Sequence, residues 1–189
     1  MIEKELKSIL SKEQYNKISE MLNWEKDYTQ VNYYFDSEDK YCLKNATTVR
    51  IRYKNEKYMI QVKVPIKLDQ ALHIKKEFEK SIPGFKDVIS GSEISFLTGL
   101  QDFPTVAHFG SLSTRRKEYS FGSTLICLDY NEYNDIKDYE VEIEFENEPD
   151  PEVMEKLFSV GVLFDKNVEG KFTRFYNSLN DHNIEVTND

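Results

Sequence analysis

Apolar and charged side chains alternate with a period of two through most of this chain, the spacing of strands that pack one face and leave the other polar. In the opening run MIEKELK, Glu3, Glu5 and Lys7 share one side, opposite Ile2, Lys4 and Leu6. Further β-rich runs span 28–35, 47–53, 57–64, 73–82, 105–109, 113–121, 123–131 and 138–146, with short polar connections between them. The stretch 47–64 reads as a hairpin that turns at Lys54, Asn55 and Glu56. Other segments carry helical spacing. Residues 11–22 pair Ser11 with Gln14 in a capping box and place Tyr15, Ile18 and Leu22 on one stripe. Pro149 and Pro151 break the strand pattern ahead of closing helices at 151–161 and 169–179, and Val88, Ile89, Ile94, Phe96 and Leu97 predict one or two short helices within 86–100. No linker rich in Gly, Pro or Ser divides the chain, and no short repeat recurs. One α+β domain over 1–180, with about eight antiparallel strands and a polar tail at 181–189, is the expected architecture.

The polar faces make the pattern chemical. Arg50 and Arg52 share a face, as do Gln61 and Lys63; Lys75 lies with Glu77 and Glu79, Arg116 with Glu118, Cys127 with Asp129, and Glu140 with Glu142 and Glu144. A solvated sheet face mixes charges with Thr, Ser and Gln, whereas here Arg-x-Arg and Glu-x-Glu come in blocks of one sign. Like charges at neighbouring positions repel, so something must compensate them. A closed eight-stranded antiparallel β-barrel does so: the charged faces converge on a tunnel, and the apolar faces turn outward beneath helices packed outside and at the C-terminus. Glu3, Glu5, Asp129, Glu140, Glu142 and Glu144 would then offer hard oxygen ligands suited to Mg²⁺ or Mn²⁺. Arg50, Arg52 and Arg116 offer planar forks for phosphate oxygens, and Lys7 and Lys63 add point charges. Together they read as a site for a metal-bound polyphosphate.

Composition narrows the partners. With 25 basic and 34 acidic residues the formal charge is −9, a mean field that disfavours nucleic acid and anionic membranes and leaves an anionic ligand dependent on a local site. Two cysteines, Cys42 and Cys127, no signal peptide and no long apolar run predict a cytoplasmic protein without a disulfide framework. No glycine-rich phosphate loop occurs. His73, His108 and His182 lack metal-ligand spacing and read as surface or packing residues; Trp24, Tyr28, Tyr33 and Tyr34 read as core. Among inward positions, Gln61 and Cys127 are the plausible neutral contacts.

The ordered set resembles the CYTH domains, or triphosphate tunnel metalloenzymes. It comprises Glu3-x-Glu5-x-Lys7, Arg50-x-Arg52, Lys63, the acidic strand with Glu77 and Glu79, Arg116, Asp129, and Glu140-x-Glu142 with Glu144. The likeness covers roughly 1–178, and NYYFDS is similar to the second strand of the small CYTH proteins of Gram-positive bacteria. The resemblance implies an eight-stranded tunnel, a divalent cation and a triphosphate-containing small molecule as partner. It also implies a late lysine, here Lys171, reaching the tunnel mouth, with Arg174 one turn away as a surface or secondary contact. Arg50, Arg52, Lys63, Arg116, Lys7 and Lys171 would hold the substrate, and Lys7, Glu77 and Glu79 are the catalytic candidates, one glutamate serving as general base. Lys75, Lys76 and the choice between Arg115 and Arg116 stay open. Six cations against eight acids leave −2, which two divalent ions would turn to +2. Three functions follow: a metal-dependent triphosphatase, foremost on inorganic triphosphate; a class IV-like adenylyl cyclase; or a non-catalytic polyphosphate or nucleotide-binding module. Glu5→Gln or Glu142→Gln is expected to weaken activity and, by relieving repulsion, to raise the melting temperature.

Overall fold

The structure, a computed structural model, describes residues 1–69, 71–166 and 168–185. Nine strands and five helices follow in the order β1 (Ile2–Leu10), α1 (Lys12–Met21), β2 (Lys26–Asp36), α2 (Tyr41–Lys44), β3 (Thr48–Lys54), β4 (Lys57–Asp69), β5 (Leu72–Ile82), β6 (Val88–Ile89), α3 (Gly91–Thr98), β7 (Val106–Phe121), β8 (Thr124–Tyr133), β9 (Ile136–Phe145), α4 (Pro151–Ser159) and α5 (Lys171–Glu185) among the described residues. The strands lie in the order β2-β3-β4-β5-β1-β9-β8-β7, every pair is antiparallel, and β2 pairs with β7 to close an eight-stranded barrel; β6 adds to the far side of β7. Closure leaves no exposed edge in the barrel wall, which for antiparallel strands this long removes a template for aggregation.

Two hairpins turn where sequence chemistry permits it. Asn55 and Glu56 (φ 49° and 61°) join β3 to β4, and Asn134 and Asp135 (φ 45° and 60°) join β8 to β9, the paired positive φ values of a two-residue turn matched to strand twist. The Ser11/Gln14 capping box forms as expected. Three expectations are corrected. Residues 105–109 and 113–121 are one strand of 16 residues, because Gly110 and Ser111 continue the pairing with β2. The 86–100 stretch supplies β6 and a single helix, α3. α5 runs on to Glu185, into the expected polar tail, and 186–189 lie outside the described residues. α2 had no periodic signature; the Asp36 carboxylate accepts from Cys42 N (2.7 Å) and Leu43 N (3.1 Å) and so folds the chain back into that turn.

The apolar faces point outward, as closure requires. One cluster packs Val49, Ile51, Ile60 and Val62 of β3 and β4 with α3's Ile94 and with Phe172 and Phe175 of α5; the other packs Ile126, Leu128, Val141 and Ile143 of β8 and β9 against α1's Ile18 and α4's Val153 and Leu157. Helices cover the barrel, and the charged rows are left inside. No described helix is long and apolar enough to cross a membrane.

Candidate active site

The inward rows meet around a cavity of about 260 Å³. Alternation alone places them there: Lys7 lies opposite Glu142 across β1–β9, Arg116 opposite Asp129 across β7–β8, and Lys63 opposite Glu77 across β4–β5. Two sets of acids converge within it.

The first set is open to the cavity. The carboxylates of Glu3, Glu5 and Glu144 each offer an oxygen within 4.8 Å of the others. Glu5 is buried, and although burial opposes its charge, the Lys7 and Lys75 ammoniums (2.9 and 3.4 Å) hold its carboxyl well below the usual range. Glu3 pairs with Lys63 at 2.6 Å. Glu144 lies 3.9 Å from Arg116 and accepts from the Cys127 thiol at 3.8 Å, and burial followed by the Glu3 charge pushes its pKa up to about 7. Lysines already meet Glu5 and Glu3, and Glu144 is the least neutralised of the three; crowded hard oxygens facing the cavity are a donor set that fits a divalent cation.

The second set is already neutralised. Asp129, Glu140 and Glu142 also bring carboxylate oxygens within 4.8 Å, and the Lys171 ammonium stands among them at 2.8, 2.7 and 2.9 Å. Arg116 grips Asp129 with two bonds (2.8 and 2.7 Å) and also reaches Glu142; Lys7 bonds Glu142; Arg174 holds Glu140 (2.8 Å) and Asp138 (3.0 Å). Burial opposes all these charges, yet pairing holds Glu142 far below the ordinary carboxylate range and raises Lys171 well above the ordinary ammonium range. Four cations face three acids, so this set needs no ion to fold.

A cationic arc faces the acids. Arg50 Nε donates to Gln61 Oε1 (2.7 Å), Gln61 in turn bonds the exposed Glu79, and Arg52 Nε donates to Asn32 Oδ1 (3.0 Å). Burial first, then the Arg50 and Arg116 charges, push Arg52 down to about 10. An arginine destabilised by its own kind marks a place where an anion is favoured.

Every site residue named from the sequence lies on the inner side of the barrel: those above line the cavity, while Asp129 and Glu140 are fully buried behind Lys171. The open choices resolve. Arg116 points inward, whereas Arg115 is exposed on Asp27 (2.9 Å); Lys75 enters the site, whereas Lys76 is exposed over the Phe78 ring. Lys171 is buried, and Arg174 is an inner partner and not a surface contact. Lys75, Arg174 and Lys54 raise the six counted cations to nine, and Asp138 and Glu118 raise the eight acids to ten, so a single divalent ion turns −1 into +1.

Other expectations are corrected. Tyr28 lines the cavity where core was expected, together with Gln30, Lys54 and Glu118, whereas Tyr34 is core as expected and also borders the cavity; Tyr28 Oη donates to Glu118, which Lys26 pairs at 2.8 Å, and the Lys54 ammonium lies 3.6 Å from the Tyr28 ring centroid. Parity could have found this row, since 28, 30, 32 and 34 share a face of β2. His73 also lines the cavity, neutral because burial and then Lys7 and Lys75 lower its pKa to about 4. His108 packs among Tyr33, Phe35 and Phe85 as a packing residue should; Trp24 sits in the apolar cluster under α1, and the His182 side chain lies outside what is described. Of the two neutral contacts expected, Gln61 is held between Arg50 and Glu79, and Cys127 is fully buried with its thiol pKa raised chiefly by burial. Cys42 and Cys127 are both free thiols.

A closed antiparallel barrel whose interior carries facing rows of acids and arginines defines a tunnel protein with donors for both an anion and a cation in one lumen. Residues 1–176 match the CYTH domain family, and the chain belongs to it. It is 34% identical over 181 residues to YjbK of Bacillus subtilis, whose name proposes a triphosphatase, covering 93% of this chain and 94% of that one. Among solved structures, a Bacillus halodurans protein described as a candidate adenylate cyclase is 25% identical with a TM-score of 0.65, covering 91% of this chain and 96% of that one. HpAC1 from Hippeastrum, a candidate adenylyl cyclase titled as having a dominant triphosphatase activity, is 20% identical with a TM-score of 0.70, covering 93% and 95%, a likeness of fold.

Proposed function

We propose that this protein is a divalent-metal-dependent triphosphatase acting on inorganic triphosphate. One observation carries the reading: the open acids Glu3, Glu5 and Glu144 share a lumen with Arg50, Arg52 and Arg116, so a cation site and an anion site lie in one enclosed space. The name of the Bacillus subtilis relative supports it. Mg²⁺ or Mn²⁺ at the open acids would offset charge on the phosphate oxygens and acidify water. The chain's own groups do the rest. Arg50, Arg52, Arg116 and Lys63 clamp the phosphates, Lys7 and Lys171 add charge from the deep end, and the clamp holds the chain in line for attack at a terminal phosphorus. Glu77, beside Lys63 at 3.6 Å, and Glu79 are the carboxylates left to take a proton from water. The deep acids Asp129, Glu140 and Glu142 would accept a second ion only where Lys171 gives way to it.

The test is product analysis with inorganic triphosphate, thiamine triphosphate and ATP, each with Mg²⁺, with Mn²⁺ and with chelator. The expected result is metal-dependent release of phosphate, faster from inorganic triphosphate than from ATP, with no cyclic nucleotide. Cyclic AMP rising with pyrophosphate would make the protein a cyclase, and tight binding without turnover would make it a binding module.

A further inference from the structure

β2 is the one wall of the tunnel without an inward charge between Tyr28 and Tyr34, and it lies between the arginine strands. Its register sets Tyr34 against Arg50 and Asn32 against Arg52 on β3, and Tyr28 against Arg116 on β7. An anion held between those arginines therefore lies over β2. There Gln30 is 1% exposed, lines the cavity, and neither its Nε2 nor its Oε1 bonds any protein group; Tyr34, also 1% exposed, lines the cavity with its hydroxyl equally unpartnered. Buried polar groups are almost always paired within a protein, and those left over at a site are candidates for a ligand. Neither side chain is loose in the wall: the Tyr34 ring is wedged against Phe172 and Phe175 of α5 (centroids 5.5 and 5.4 Å), and Gln30 sits between flanking lumen residues of a paired strand.

We propose that Gln30 and Tyr34 bind the phosphate chain directly, the Gln30 amide and the Tyr34 hydroxyl donating hydrogen bonds to phosphoryl oxygens that the arginines hold. The proposal rests on the triphosphate reading above. It selects phosphate over a nucleobase because a neutral ring laid on β2 would leave Arg50 and Arg52, whose bonds go to the neutral Gln61 and Asn32, without a counter-charge, while phosphate oxygens meet those arginines and the neutral donors together. Asn32 is a positioning residue in the same row: its Oδ1 accepts from Arg52 Nε and fixes that fork.

The two groups make a prediction a structural role would not. Removing an unpaired buried hydroxyl or amide takes away nothing the free fold uses, so Tyr34→Phe and Gln30→Leu should leave the melting temperature of the free protein unchanged or higher. Each should raise KM for inorganic triphosphate roughly tenfold with kcat within about twofold, and should shrink the rise in melting temperature that triphosphate confers. Gln30→Glu, which keeps the shape but offers carboxylate to phosphate, should be worse than Gln30→Leu. Arg52→Ala is the control. If Arg52→Ala raises KM while Gln30→Leu and Tyr34→Phe do not, the β2 contacts are refuted and the triphosphate reading stands; a lower melting temperature with KM unmoved refutes them as structural residues. Retained binding in Gln30→Glu would show the carbonyl facing a donor group and refute the phosphate contact. If the wild type neither binds nor cleaves triphosphate, the reading and the proposal fail together.

Discussion

Glu142 and Glu144 are two residues apart on one strand, face the same lumen, and should respond oppositely to loss of charge. Glu142 is bonded by Lys7, Arg116 and Lys171, all buried, so Glu142→Gln removes the shared partner of three cations. Breaking a buried network from one side costs about 3–5 kcal/mol, a fall in melting temperature on the order of 10 °C for a chain this size. Glu144 is crowded by Glu3, so Glu144→Gln should leave the metal-free melting temperature unchanged or raise it, while abolishing any stabilisation by Mg²⁺ or Mn²⁺. Melting both variants with and without the ion separates the two roles. The alternation reading expected relief of repulsion at Glu5 and Glu142; the pairing across the lumen moves that expectation to Glu144, because the sequence shows like charges along a strand but not the cations that meet them. Residue signs were legible for the same reason: Arg-x-Arg and Glu-x-Glu are conspicuous on a period-two face. Parity puts Gln30, Asn32 and Tyr34 on one face without saying which side of the wall that is, since neutral amides and rings look the same on a lumen wall as in an outer core.

At the scale of elements, α5 ties the apolar exterior to the charged interior. Phe172 and Phe175 pack into the outer cluster, while Lys171 and Arg174 on the same helix reach the acids. Gly110 in β7 is where the helix touches the wall, since a Cβ there would stand 2.4 Å from the Phe175 ring. Gly110→Ala must therefore push α5 outward, at about 1–3 kcal/mol for overpacking, and it should reduce turnover, as Lys171→Ala should, despite altering no charge. Calorimetry and steady-state kinetics on both variants check this, and a Gly110→Ala protein with lowered stability but full turnover would uncouple the helix from the site. Period-two runs and caps located the barrel strands and four of the helices. They split β7 in two because Gly110 and Ser111 read as a connection, whereas continuous pairing with β2 carries the strand across. α2 depends on Asp36 reaching backbone amides six and seven residues on, which no local periodicity records.

For the whole molecule, the lumen's balance of charges sets how stability follows pH. His73 has its pKa lowered to about 4, so its neutral form contributes stability above its unfolded value near 6.5, and that stability is lost as pH falls from 6.5 to 4. Glu144, raised to about 7, works the other way: the folded protein takes up its proton first, so metal-free stability grows as pH falls from 7 towards 4.5. The two shifts are of similar size and opposite sign and should nearly cancel. Glu5, Glu140 and Glu142 have lowered pKa values, so their contribution is fully present above 4.5 and is lost below it as they protonate and leave the buried lysines and arginines facing one another. Denaturant titrations of the metal-free protein should therefore give a nearly flat stability from pH 7 to 4.5 and a steep fall beneath. Glu144→Gln, with the compensating proton removed, should already lose stability between 6.5 and 4.5. A wild-type curve that falls steadily from pH 7, or a variant curve as flat as the wild type's, would show that His73 and Glu144 do not titrate against each other in a common lumen.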